Sequence, residues 1–229
     1  MESYMERPPS LGSAENEKGV AWQLKLQELE SVGDKLGYRI DPGIKETVAA
    51  FMLNEFPTYG SCEGHLEERD GKVRKLHPYI AVGFDEPSKR YVGEAEIKQR
   101  IADQFHIAPD EIEDHENAMQ AYWDYIQDHE IEETGEFQIV RAKNEALGKQ
   151  FAELLEEFYK EREKPAERPL AIHGIGPAGH FYVEDATENP KEDIPEEETE
   201  KLRDQLAKEQ AEMGTLTEFL RRRYLTGSS

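Results

Sequence analysis

Apolar residues along this chain follow two rhythms. Helical spacing runs through Val20, Leu24, Leu29, Val32 and Leu36, with Gly37 as the stop. It resumes at Ile44, Val48, Phe51 and Met52, behind an Asp41 suited to capping and a Pro42 suited to the first helical position. Further stripes are Ile97, Ile101 and Phe105, then Ile112, Met119, Trp123 and Ile126, then Leu147, Phe151, Leu154, Leu155 and Phe158. A last helix carries Leu202, Leu206, Met213, Leu216, Leu220 and Tyr224, and its Arg221, Arg222 and Arg223 suit the negative end of the helix dipole. Alternation marks strands over 59–66 and 77–84, with Asp70 and Gly71 as turn residues between them. Residues 170–176 and 180–185 read as a second hairpin, and 136–140 ("EFQIV") as a short strand.

These elements predict an α+β fold, a small antiparallel sheet of two hairpins covered by amphipathic helices. Residues 1–18 lack any apolar period and read as a mobile N-terminus, followed by the α+β domain over 19–184. Residues 185–199 are acidic, hold Pro190 and Pro195, and read as an exposed linker to a C-terminal helix over 200–225 that packs back on the domain.

Charge narrows the partners. With 28 basic against 50 acidic residues the net charge is −22, which repels phosphate backbones and anionic lipid, so nucleic acid and membrane are not expected, while a basic protein is a partner such a surface could meet. A single cysteine excludes an intrachain disulfide, and the first residues lack a basic-then-apolar leader, so a cytoplasmic location is expected.

Candidate chemistry concentrates in "YGSCEGHLEE", residues 59–68. Read as one strand, Tyr59, Ser61, Glu63 and His65 face one way, while Gly60, Cys62, Gly64 and Leu66 face the other. Cys62, flanked by glycines, then belongs to the core, and Glu63 with His65 form an acid/base or ligand pair. His77 and Tyr79 extend the polar face, and His173 and His180 lie on the second hairpin, so a shared site on an uncovered sheet face is expected. Three chemistries fit these residue types. Zinc would take Cys62, His65, His77 and His173 as ligands, although the spacing matches no strong metal motif. A nucleophilic Cys62 would use His65 as base, with no third residue to orient it. A ligand-cradling loop would use Ser61 and the backbone around Gly60 and Gly64, with Glu63 and His65 orienting the guest.

"DPGIKETVAAF", "SCEGH" and "HPYIAV", together with the terminal "EMGTLTEFLRRRYL", resemble an uncharacterised bacterial family marked by the Ser-Cys-Glu-Gly-His segment. The resemblance covers roughly 40–84 and the final helix, and implies no assigned reaction. The same segment is more distantly similar to the tRNA wybutosine-synthesis methyltransferases, which carry Ser-Cys-Ser-Gly-Arg there; Glu63 and His65 depart from that pattern. The resulting expectation is a small-molecule-binding or regulatory domain. Its ligand is held by Ser61, Gly64, His77, Tyr79 and His173, with Glu63 and His65 as the acid/base pair. The alternatives are a metal-assisted or acid/base enzyme, methyltransferase-like in one version, and an acidic interaction module. No cofactor or metal is specified by the sequence.

Overall fold

The computed structural model describes residues 11–33, 39–69, 71–162, 164–187, 194–195 and 199–227. Its elements are α1 (Leu11–Glu30), α2 (Lys45–Leu53), β1 (Thr58–Cys62), β2 (His65–Arg69), β3 (Lys72–Leu76) and β4 (Tyr79–Val82), then α3 (Glu94–Phe105), α4 (Glu116–Asp128) and α5 (Gly135–Lys160). The hairpin β5 (Leu170–Ile175) and β6 (His180–Asp185), a short β7 (Ile194–Pro195) and α6 (Thr199–Thr226) follow. The expected α+β class is present: one antiparallel sheet runs β1-β4-β6-β5 and a smaller one runs β2-β3-β7.

The first hairpin is longer than either sheet. Cys62 pairs with Tyr79 and His65 pairs with Leu76, so one register continues from the β1–β4 ladder into the β2–β3 ladder. What splits it is a corner at Glu63, Gly64, His77 and Pro78. Gly64 takes a left-handed φ of +78°, and a Cβ there would meet the Pro78 nitrogen at 2.7 Å and Leu206 Cδ1 at 2.9 Å. Pro78 brings no N–H to the ladder. From α6, Gln210 Nε2 donates to the carbonyls of Glu63 at 3.1 Å and Gly64 at 3.2 Å, which satisfies backbone the corner leaves unpaired.

Burial follows the helical stripes with local shifts. Phe51, Phe56 and Phe151 form the centre of the core, with ring centroids 4.9 to 6.3 Å apart. Around them pack Trp22 and Leu29 of α1, Phe158 of α5, Met213, Leu216 and Leu220 of α6, and Ile80, Val82, Phe181 and Val183 of the sheet. A second cluster, Tyr91, Ile97, Ile101, Ile112, Ala118, Tyr122 and Ile126, unites α3 and α4. The segment that carries it leaves β4 and re-enters α5 through one clasp. There Tyr91 bridges Glu133, Val92 donates to Glu132 at 3.0 Å, and Thr134 donates to Arg90 at 2.8 Å.

Several sequence expectations change. Residues 136–140 are the first turns of α5 rather than a strand: Thr134 caps the helix by accepting from Phe137 N, and Phe137, Asn144, Phe151 and Phe158 line its buried face. Helix α1 covers 11–30, so 11–18 are helical and the expected stop at Gly37 lies outside the described residues. Its buried face is Trp22, Leu26 and Leu29, while Val20 and Leu24 are exposed. Residues 1–10, 188–193 and 196–198, which carry most of the expected mobile terminus and linker, also lie outside the described residues, as does Asp70.

The corner makes a direct prediction. Gly64→Ala combines a left-handed φ with backbone collision and is expected to cost about 2–4 kcal/mol. Gly71→Ala, at φ +72° but with open space around it, is expected to cost only about 1 kcal/mol. Urea unfolding of both variants measures the difference; equal losses would mean that packing at the corner contributes nothing.

Candidate functional site

The four-stranded sheet has one face turned to the helices and one turned to solvent. Ile80 opposes Val183 and Val82 opposes Phe181, and all four belong to the helix-covered core. Ser61 pairs with Ile80 and so lies on the covered face, whereas Cys62 pairs with Tyr79 on the open one. This reverses the parity expected from sequence: the thiol is not a core residue. Gly60, Ser61 and Cys62 alternate as expected, but it is the glycine-flanked set that faces solvent and Ser61 that faces the core; a bulge between Thr58 and Gly60 adds one residue and puts Tyr59 on the same open face as Cys62.

That open face carries a band of aromatic and titratable side chains. Tyr59 lies against His180 with ring centroids 4.8 Å apart, and Tyr79 against Tyr182 at 5.0 Å. Ala81 beneath them is only 1% exposed, so the tyrosines roof the strand backbone, while Tyr59 itself is 47% exposed. His173 pairs with Tyr182 on the next strand, and its Nε2 is shielded without a hydrogen-bond partner among the described residues. His180 Nε2 donates to the Phe84 carbonyl at 2.7 Å, and its other nitrogen lies 3.5 Å from Glu86. Burial first, then the neighbouring Tyr182, Glu86 and Tyr79, pushes the Tyr59 hydroxyl up to about 12, so Tyr59 stays protonated and neutral at physiological pH.

At the corner end of this face, Cys62 Sγ lies 3.7 Å from His65 Nδ1, and His65 Nε2 lies 3.3 Å from Glu67 Oε1. Glu67, accepting from Nε2, favours the tautomer that offers Nδ1 to the thiol and stands where an orienting residue would, one that the sequence had not identified. Burial raises the Cys62 thiol above its ordinary value; the Gly64 N–H, donating at 3.3 Å, opposes that, and Asp41, Glu63 and Glu67 raise it further.

Not every expected site residue joins the band. The Glu63 carboxylate accepts from Gly43 N at 2.7 Å and so anchors the turn before α2. Gly64 is buried under Leu206. His77 turns away into an ion cluster. Its Nδ1 donates to Glu209 at 3.1 Å, and the same carboxylate accepts from Lys75 at 2.5 Å and Arg168 at 2.7 Å. Arg168 also lies 3.0 Å from Asp185. Burial alone would raise the Glu209 carboxyl, but the hydrogen bonds from His77, Lys75 and Arg168 outweigh it and hold the group at about 2.

Of the expected residues, then, His65, Tyr79 and His173 share the open face, while Ser61, Glu63, Gly64 and His77 serve the structure beneath and beside it. Tyr59, Tyr182 and Glu67 were missed, although strand alternation in "HFYVED" places Tyr182 opposite Phe181 and Val183. Glu209 did leave a signal: it falls on the apolar stripe of α6 between Leu206 and Met213. Among the described residues no group of three or more His, Cys, Asp or Glu side chains is arranged to hold a metal ion, and no helix is long and apolar enough to cross a membrane. No protein family, curated protein or solved structure matches this chain.

The Glu209 cluster predicts acid sensitivity of a definite sign. A carboxyl held below its ordinary 4.5 adds stability above that value and loses it as pH falls toward 2. Glu209→Gln leaves the buried Lys75 without its counter-charge and Arg168 with Asp185 alone, and is expected to cost about 3–5 kcal/mol at pH 7. Denaturant midpoints from pH 7 to pH 2.5 should show the wild-type advantage shrinking along this acid limb.

Proposed function

We propose that this protein is a ligand-binding domain whose site is the open sheet face beside the Ser-Cys-Glu-Gly-His corner, and that the ligand is a small organic cation. The observation that carries this reading is the band of Tyr59, Tyr79 and Tyr182 on the open face, with Tyr59 against His180 at 4.8 Å, Tyr79 against Tyr182 at 5.0 Å, and the Glu86 carboxylate 3.5 Å from His180. Aromatic faces attract cations through their quadrupole, at about 0.5–2 kcal/mol per contact, and the Glu86 carboxylate adds long-range attraction. The net charge of −22 draws a cation and repels an anion, which supports an amine over a phosphate. His65 and His173, at either side of the band, suit recognition of a polar group on the same molecule.

Spermidine, tetramethylammonium and arginine methyl ester, titrated against tyrosine fluorescence and melting temperature, test this reading. Saturable binding by at least one probe is expected, weakened roughly tenfold in Tyr182→Ala. No saturable response, or an unchanged one in the variant, would remove the proposal.

One observation favours a second reading, a thiol enzyme: the Cys62, His65 and Glu67 spacing places nucleophile, base and orienting carboxylate in sequence. Against it, the thiol is pushed upward, so little thiolate forms near neutrality. Iodoacetamide alkylation between pH 6 and pH 10 separates the two. The binding reading expects Cys62 to react more slowly than free cysteine at pH 7. Rapid alkylation at pH 7 that disappears in His65→Ala would instead favour the enzyme.

A further inference from the structure

We propose that the outer face of α4 is a docking surface for a basic segment of another protein, with Trp123 as its anchor and Glu116, Asp124 and Asp128 as the groups that receive lysine or arginine. This reading is independent of the ligand proposed for the open sheet face. Charge is unevenly spread along the chain. Residues 91–134 hold 13 acidic and two basic residues, a balance of −11, so about a fifth of the chain carries half of the total of −22. A field concentrated on one part of a molecule steers an oppositely charged partner to that part.

Helix α4 has a buried side and a solvent side. Ala118, Tyr122 and Ile126 are buried in the cluster shared with α3, while Glu116, Gln120, Trp123, Asp124 and Asp128 are exposed at helical spacing. Trp123 is 41% exposed, whereas the chain's other tryptophan, Trp22, is 2% exposed in the core. The Trp123 ring meets Tyr91 and Tyr122 edge to face, with centroids 6.4 and 5.2 Å away, so it is held in place without being covered. A positioned, uncovered aromatic ring is the kind of group that anchors protein interfaces.

The chemistry around the ring selects a basic partner. Both cations of the segment are already engaged: Lys98 lies 3.2 Å from Glu94 and 3.7 Å from Glu113, and Arg100 lies over the Tyr125 ring at 5.2 Å. Among the described residues no cation lies within ion-pair distance of Glu116, Asp124 or Asp128, and Asp124 accepts instead from Gln120 at 2.7 Å. The fold itself shows the pairing on offer, since the Arg90 guanidinium lies over Trp123 at 5.6 Å while it bonds Glu133 at 3.1 Å. A partner's arginine would repeat this on the exposed part of the ring, with Asp124 and Asp128, one turn apart, as counter-charges. A second copy would bring the same acidic face, and nucleic acid or anionic lipid the same sign of charge. Each of these is repelled where a lysine- and arginine-rich segment is drawn in.

Nona-arginine, titrated into the full chain at physiological salt, tests the proposal, with calorimetry giving the affinity and acrylamide quenching of tryptophan emission giving the place. Because Trp22 is buried, the quenchable emission comes from Trp123. Saturable binding that shields Trp123 from acrylamide is expected, weakened roughly tenfold by Trp123→Ala and by the double variant Asp124→Asn with Asp128→Asn. Glu153→Gln with Glu218→Gln removes the same charge from exposed positions on α5 and α6, and should leave the affinity within about twofold. Absence of binding would overturn the proposal. So would saturation that leaves Trp123 as quenchable as before, or equal weakening by the two double variants, which would mean attraction to the overall charge and to no particular surface. Should a variant fail to fold, quenching in the wild type decides: a shielded Trp123 supports the proposal, and an accessible one overturns it.

Discussion

The carboxylate of Glu209 is fully shielded from solvent in the middle of an apolar helix stripe. An ionised carboxylate without partners would cost several kcal/mol there, so α6 can dock only where cations meet it. Lys75 and His77 come from the far arm of the first hairpin, and Arg168 comes from the approach to the second, where it also reaches Asp185. One side chain thereby specifies how the last helix, both hairpins and the corner between the two sheets sit together. The neighbouring pair of Arg162 with the buried Glu212 repeats the device one turn along and ties the end of α5 to the same helix.

The corner is the link between that constraint and the open face. By interrupting the hairpin, Gly64 and Pro78 end the larger sheet's ladder at Cys62 and Tyr79 and leave His65 Nδ1 3.7 Å from the thiol. Chemistry at the rim thus depends on packing beneath it: Leu206 against Gly64 and Gln210 on the corner carbonyls hold the geometry in which Cys62, His65 and Glu67 line up.

Local signals made most of the elements legible. Turn residues and alternation found both hairpins, and the helical stripes found α2 through α6. Where local and global signals conflicted, the longer period won: Gln138, Ile139 and Val140 favour a strand taken alone, yet the seven-residue recurrence of Phe137, Asn144, Phe151 and Phe158 carries them into α5. The candidate site was legible only in part. Alternation separates Gly60 and Cys62 from Ser61 correctly but does not say which set meets the core, and it has no means of sensing the bulge that places Tyr59 with Cys62 instead of with Ser61. The ion cluster joins residues more than a hundred positions apart, as Lys75 and Glu209 are, and such pairing leaves no imprint on the neighbours of either.

The segment between Arg90 and Thr134 enters and leaves through adjacent backbone, fastened by a two-way hydrogen-bonded clasp and by the Arg90 guanidinium, which lies over Tyr91, Trp123 and Phe137. Its helices bury their apolar faces chiefly on one another. A cassette with such closely spaced ends can be shortened, enlarged or exchanged with little strain on the sheet that hosts it, since loop closure grows only slowly with length. Variation among descendants of this fold is therefore expected to gather there, while the corner and its buried carboxylate stay fixed.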